Sequence, residues 1–254
     1  MSLPIVLVHG GAHGAWCWAP LLAHLDGQTL AVDLPPKAIR GVRNPSTVPE
    51  ELASTTIDDF AASTIADVDA AGFERFILVG HSMGGLTIAE VARRVPERVA
   101  HLIFASCMVP PEGGLAVDGV PSDSQSRARE LVDDATTSPP SGGGLDEATI
   151  RYMFCNDMDE EQTRLVLDHT GPEALGVFGE RITRRGIPRE LPKTYLRLLQ
   201  DQALPPADQD RAIANLRESP GGTVDVVELD TGHDVMISSP AQLARVLEPL
   251  AAKA

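Results

Sequence analysis

The stretch Phe76-Ile77-Leu78-Val79-Gly80-His81-Ser82-Met83-Gly84-Gly85 decides how the rest of the chain is read. Its first four residues form a short apolar run suited to a buried parallel strand, and Leu86 to Arg94 follows with helical spacing that stops just before Pro96. Between the two lies a Gly-x-Ser-x-Gly sequence. Small residues at both flanks let the backbones pack closely, and a strained strand-to-helix turn pushes the serine hydroxyl out of the sheet. The pattern points to nucleophilic chemistry at Ser82.

Working outward, strand-like and helix-like segments alternate. Ile5 to Val8 reads as a strand, Cys17 to Leu25 as a helix, Thr29 to Val32 as a strand and Ile57 to Ala71 as a helix. After the central motif, Ala100 to Ser106 reads as a further strand. Such alternation predicts an α/β fold, a mostly parallel sheet of about six strands flanked by helices. The rhythm breaks between Pro110 and Leu191, where Pro, Gly and Ser cluster at Pro110-Pro111-Glu112-Gly113-Gly114 and Ser138-Pro139-Pro140-Ser141-Gly142-Gly143-Gly144. Helical patterns at Asp159 to His169 and Ala174 to Thr183 make this segment a mostly helical cap with a flexible entry. The sheet resumes at Thr194 to Leu199 and Val224 to Leu229, with helices at Asp208 to Glu218 and Pro240 to Ala252. The expected division is therefore a core of residues 1–109 and 192–254 with an inserted cap at 110–191.

Composition narrows the partners. In 254 residues, 36 acidic against 21 basic side chains give a formal charge of −15, which repels phosphate backbones and anionic membranes. No nucleic acid or membrane partner is expected. The three cysteines, Cys17, Cys107 and Cys155, lack metal or disulfide spacing and suit a reducing compartment. With no basic leader before Leu3 and no apolar stretch of membrane-spanning length, the expectation is a soluble, cytoplasmic protein. Oligomeric state stays open, a homodimer included.

A serine hydroxyl is a poor nucleophile near neutrality, so Ser82 needs a base within reach and a carboxylate to orient that base. Of seven histidines, His233 alone follows the terminal strand, on the loop before the last helix, at the open end of a parallel sheet where α/β sites form. It is the expected base. Asp201, at the end of the preceding strand, lies between Ser82 and His233 in the order this constellation follows and is the expected acid. Asp208 and Asp210 compete, although they fall at a helix start where a carboxylate commonly caps. The strand ending near Ser106 offers no acid before Glu112. Backbone N–H groups of Met83, after the nucleophile, and of Gly11, in the glycine-rich loop after the first strand, are the expected oxyanion donors.

Two rivals use the same first loop. Gly11 and Gly14 with Asp33 resemble part of a dinucleotide fingerprint, but His9 stands where its first glycine belongs. A metal reading of His9, His13 and Cys17 lacks standard ligand spacing. No cofactor and no metal are expected.

The chain resembles the α/β-hydrolase superfamily, and within it the plant-type methylesterase and hydroxynitrile lyase group with its bacterial relatives. The matching pieces are Val6 to Trp18, Asp33-Leu34-Pro35, Leu78 to Gly85, Asp201 to Pro205 and Gly232-His233-Asp234. The resemblance implies Ser82 as nucleophile, His233 as base, Asp201 as acid and Gly11 with Met83 as oxyanion donors. Lyases of this group carry Thr where this chain has Gly10 and Lys where it has Asp234, so the resemblance favours hydrolysis of a small carboxylic ester or lactone. A carboxylate at 234 also implies an altered pocket beside the base. Alternatives are a ligand-binding protein on a hydrolase fold and cofactor-free C–C bond cleavage. Apolar cap residues, Met153, Phe154, Leu165, Leu167, Leu175, Val177 and Phe178, are the candidate walls for an apolar substrate.

Overall fold

The computed structural model describes residues 2–43, 51–126, 129–130 and 145–253. Six strands, β1 (Ile5–Val8), β2 (Thr29–Val32), β3 (Phe76–His81), β4 (Val99–Ala105), β5 (Lys193–Leu198) and β6 (Val224–Leu229), form one sheet in the order β2-β1-β3-β4-β5-β6. Every pairing is parallel, as expected of strands alternating with helices. The interior strands β1, β3 and β4 are buried at every position, which explains their unbroken apolar runs. Edge strand β6 instead turns Asp225 and Glu228 to solvent, a charge placement that discourages pairing with another chain.

Alternate side chains of each strand enter two cores. Val6, Val8, Leu78 and Phe104 pack with helices α3 (Ile57–Ala70), α4 (Gly84–Arg94) and α7 (Pro206–Glu218). Ile5, Leu7, Val79 and Ile103 pack on the other face with α1 (Ala19–Leu22) and α9 (Pro240–Lys253). Helix α3 starts at a capping box in which Thr56 and Asp59 satisfy each other's backbone N–H groups.

The expected helix at Cys17 to Leu25 is shorter and begins as a 3-10 turn, Ala15–Trp18, ahead of α1. Pro20 has no N–H to continue an α ladder back into that turn. Between β4 and β5 no described residue joins the sheet. That insertion carries α5 (Glu147–Phe154), capped by Asp146, and α6 (Glu160–His169), capped by Asp159. The expected helix at Ala174 to Thr183 reduces to a 3-10 turn, Leu175–Gly179. Gly176 and Gly179 weaken helix formation there, and residues 180–182 instead pair with residues 113–116: Ala116 N–H donates to Glu180 O at 2.8 Å and Ile182 N–H to Gly114 O at 2.9 Å. The glycine-rich run Ser138 to Gly144 lies outside the described residues. Among the described residues no helix is long and apolar enough to cross a membrane.

Parallel strands place the loops after β1, β3, β5 and β6 at one edge of the sheet. The helix α8 (Val235–Ser238) follows β6 at that same edge. All five expected site residues sit there.

Candidate active site

Ser82 occupies the turn between β3 and α4 with φ of 53°, in the left-handed region that a non-glycine residue enters at a cost of about 1–3 kcal/mol. The turn is held from several sides. Ser82 N–H donates to Ala105 O at 3.1 Å, while its carbonyl accepts from Met108 N–H at 3.1 Å and Gly85 N–H at 3.1 Å. The glycines of the motif are steric requirements: a Cβ at Gly84 would meet His9 O at 2.7 Å, and one at Gly80 would meet Gly84 O at 2.9 Å. Tight α4–β1–β3 packing thus forces glycine on either side of Ser82.

His233 and Asp201 are in direct contact. The His233 Nδ1–H donates to Asp201 Oδ2 at 2.6 Å, with both residues buried. The same oxygen accepts from Ser106 Oγ–H at 2.5 Å, and Asp201 Oδ1 accepts the N–H groups of Ala203 and Leu204, each at 2.8 Å. Four donors hold one carboxylate, so its orientation is fixed. The competing acids are engaged elsewhere: Asp210 pairs with Arg197 at 2.8 Å, and Asp208 pairs with Arg211 and Ser122. Burial works against the charged form of His233, but the adjoining Asp201 carboxylate outweighs it and lifts the pKa above the ordinary 6.5.

Ser82, His233, Gly11 and Met83 line one cavity of about 220 Å³. The Ser82 hydroxyl has no hydrogen bond to His233 among the described residues, and such contacts often tighten only when substrate is bound. Gly11 lies against Met83: a Cβ at Gly11 would sit 3.6 Å from Met83 Sδ. His9 explains how the Gly11 N–H is aimed. Its Nε2 accepts from Leu34 N–H at 3.1 Å, so Nδ1 carries the proton and donates to Gly10 O at 2.7 Å. In a trans peptide the Gly11 N–H then points the opposite way. Burial keeps His9 neutral, well below the usual histidine range.

Asp234 corrects one expectation. It is fully buried and is absent from the cavity wall; its Oδ2 accepts from His13 Nε2–H at 2.8 Å, and Oδ1 lies 3.7 Å from His81 Nε2. His13 Nδ1 faces Gly11 O at 2.8 Å, so both its nitrogens meet acceptors. Burial opposes the His13 charge, yet Asp234 prevails and raises its pKa. Burial likewise opposes the Asp234 charge, and His13 overcomes it and lowers that pKa. The carboxylate therefore braces the loops behind His233. Gly10 has its own steric reason, since a Cβ there would fall 2.7 Å from Ser82 Cβ. A threonine does not fit this backbone without displacement.

The two rival readings lose their residues to internal bonds. Asp33 Oδ1 accepts from Ala15 N–H at 2.7 Å, pinning the first loop. His9 and His13 each spend both ring nitrogens on hydrogen bonds. His81, His233 and Asp234 bring possible ligand atoms within 4.8 Å; His81 Nε2 donates to His233 O at 3.0 Å, His233 Nδ1–H to Asp201, and Asp234 Oδ2 accepts from His13, while His81 Nδ1 and Asp234 Oδ1 have no hydrogen-bond partner among the described residues.

The insertion supplies Met153, Phe154, Leu175 and Phe178 to the cavity, four of the seven expected wall residues. Leu165, Leu167 and Val177 pack into the cores instead. Several partners were not apparent in the sequence. Ser106, directly after β4, places a hydroxyl donor on Asp201. Asn156 Nδ2–H donates to Gln200 O at 2.9 Å, and Asp157 Oδ2 accepts from Gly232 N–H at 2.6 Å, so the α5–α6 loop holds the loops that carry Asp201 and His233. Glu173 joins the insertion to Ala12 at 2.8 Å.

A family model described as the alpha/beta hydrolase family matches residues 5–246. A rice protein (Oryza sativa) named probable esterase PIR7A is 27% identical over 265 residues, covering 98% of this chain and 96% of that protein. Methylesterase 1 of Arabidopsis thaliana is 36% identical over 109 residues, 41% of this chain and 39% of the plant protein. Among solved structures, an extracellular α/β-hydrolase from a Paenibacillus species, described as sharing structural and functional homology with tobacco salicylic acid binding protein 2, superposes with a TM-score of 0.79 at 21% identity, covering 96% of this chain and 97% of that one. The chain belongs to the alpha/beta hydrolase family, and its relatives include plant methylesterases and esterases.

Proposed function

We propose that the chain is a cofactor-free serine hydrolase of small carboxylic esters or lactones with an apolar acyl or alcohol part. The observation that carries the reading is the Asp201–His233 pair at 2.6 Å, whose His233 lines the same cavity as a strained Ser82. Ser82 Oγ attacks the ester carbonyl while His233 Nε2 takes its proton. Asp201 holds the imidazole in the Nδ1–H tautomer and stabilises the imidazolium. The negative charge on the carbonyl oxygen meets the Gly11 and Met83 N–H groups. Collapse expels the alcohol, which takes the proton from His233, and a water molecule activated by the same base releases the acid and restores Ser82.

The cavity walls support an apolar substrate, since Met108, Val120, Met153 and Phe178 line it. A space of about 220 Å³ is small for a ligand site and suits a compact ester. The residues 110–191 act as the cap that furnishes this pocket. Three free, buried cysteines suit a cytoplasmic site of action. Aryl ester turnover tests the reading: Ser82→Ala should lose at least about 10³-fold in kcat, whereas a variant retaining wild-type rates would end it.

A further inference from the structure

Glu173 has the surroundings of a working part without any contact to the reacting groups. It stands between α6 and the Leu175–Gly179 turn and borders the cavity, yet both its carboxylate oxygens are taken up within the protein. Oε2 accepts from Ala12 N–H at 2.8 Å and Arg40 Nη1–H at 2.8 Å; Oε1 accepts from Ala174 N–H at 2.7 Å and Arg40 Nη2–H at 3.1 Å. Four donors occupy the two oxygens, leaving little capacity for a ligand. Ala12 is gripped twice, because its carbonyl also accepts from Gly171 N–H at 2.9 Å. It needs the grip: Ala12 has φ of 63°, a conformation that persists in a non-glycine residue only where its surroundings over-determine it.

The residue before Ala12 is Gly11, and Glu173 Cγ lies 3.7 Å from where a Gly11 Cβ would sit. A free carboxylate so close to a developing oxyanion would oppose it. Arg40, its side chain 1% exposed, cancels that charge and is itself fixed by donating to Leu34 O and Pro35 O, each at 2.9 Å. The clamp therefore links the loops after β1 and β2 to the insertion.

Resting on the serine-hydrolase reading, we propose that Glu173, backed by Arg40, is a positioning residue that sets the Gly11 N–H for the oxyanion and so makes transition-state stabilisation depend on how the insertion is seated. The test is carried out on the full chain with Glu173→Gln and Glu173→Asp, the second keeping a charge beside Arg40 while falling one methylene short of Ala12. Expected are a roughly 10- to 100-fold fall in kcat and in the rate of phosphonylation by a fluorophosphonate. KM should stay within about threefold and the pH midpoint of the acidic limb should not move, since the base is untouched. If the Gln variant does not fold, the Asp variant decides. Wild-type kcat and labelling rates in a folded variant, or a loss confined to KM, would overturn the clamp. An inactive, unlabelled wild-type chain would instead overturn the hydrolase reading and the proposal with it, a pattern distinct from wild type and variants labelling alike.

Discussion

The loops at the edge of the sheet and the insertion between β4 and β5 build the same cavity by opposite means. On the sheet side the chemistry-bearing groups are over-determined: the Asp201 carboxylate has four donors, Ser82 has three backbone bonds at its turn, and His9 fixes a single peptide plane. On the insertion side the cavity wall is mainly apolar side chains, Met153, Phe154, Leu175 and Phe178, whose packing carries no directional demand. The difference teaches that reaction type is held by hydrogen-bond geometry, while substrate choice is held by shape. Changes to the hydrogen-bonded groups, Glu173 of the insertion included, should therefore act on kcat, and changes to the apolar wall on KM and on the preferred ester.

The largest effect is expected where the sheet side is broken. Asp201→Asn should lower kcat by about 10³- to 10⁴-fold, because an amide supports the wrong imidazole tautomer. The same variant sharpens the pH argument. In the wild type the base is neutral only above a pKa that Asp201 has raised beyond 6.5, so kcat/KM should climb through a midpoint above that value. Without the carboxylate, burial dominates and the midpoint should move down; an unmoved midpoint would detach Asp201 from the base. The sign for stability is opposite: the raised His233 pKa contributes stability fully present below 6.5 and lost as pH rises through the folded value.

A smaller effect is expected on the other side of the cavity. Phe178→Ala should shift the ratio of kcat/KM between short and bulky apolar esters by about 10-fold, with kcat for a short ester within about threefold. A comparable loss in kcat for every ester would contradict the division. Smallest of all is Asp210→Asn. Asp210 shares the helix-start region with the other rival acid, but its carboxylate is more than half exposed and pairs with Arg197 at the surface. Its kcat should stay within twofold and its stability within about 1 kcal/mol of wild type, as checked by denaturant titration.

The contrast between the two sides also explains what the sequence displays. Ser82, His233 and Asp201 are legible because strand ends and close packing leave local marks: glycines at 80 and 84, and polar residues directly after apolar runs. The partners that hold them are not marked. Ser106 to Asp201, Asp157 to Gly232 and Glu173 to Ala12 join residues 95, 75 and 161 positions apart, and nothing in a short window distinguishes such an acid from a solvated one. Asp234 shows the reverse hazard. Beside His233 in sequence it reads as part of the pocket, yet α8 begins there and turns its carboxylate inward to His13. The expected 174–183 helix failed for a related reason, since its outer residues found antiparallel partners at 113–116 that helical periodicity does not reveal.

The central claim is that Ser82 is an activated nucleophile. Its most direct measurement is peptide mapping after exposure of the wild-type chain to a fluorophosphonate, which leaves the serine oxygen bonded to phosphorus as fluoride departs. One adduct per chain on the peptide carrying Ser82, formed at least about 10²-fold faster than in Asp201→Asn, is the predicted result. No adduct, or an adduct on another serine while Ser82 stays free, would contradict it.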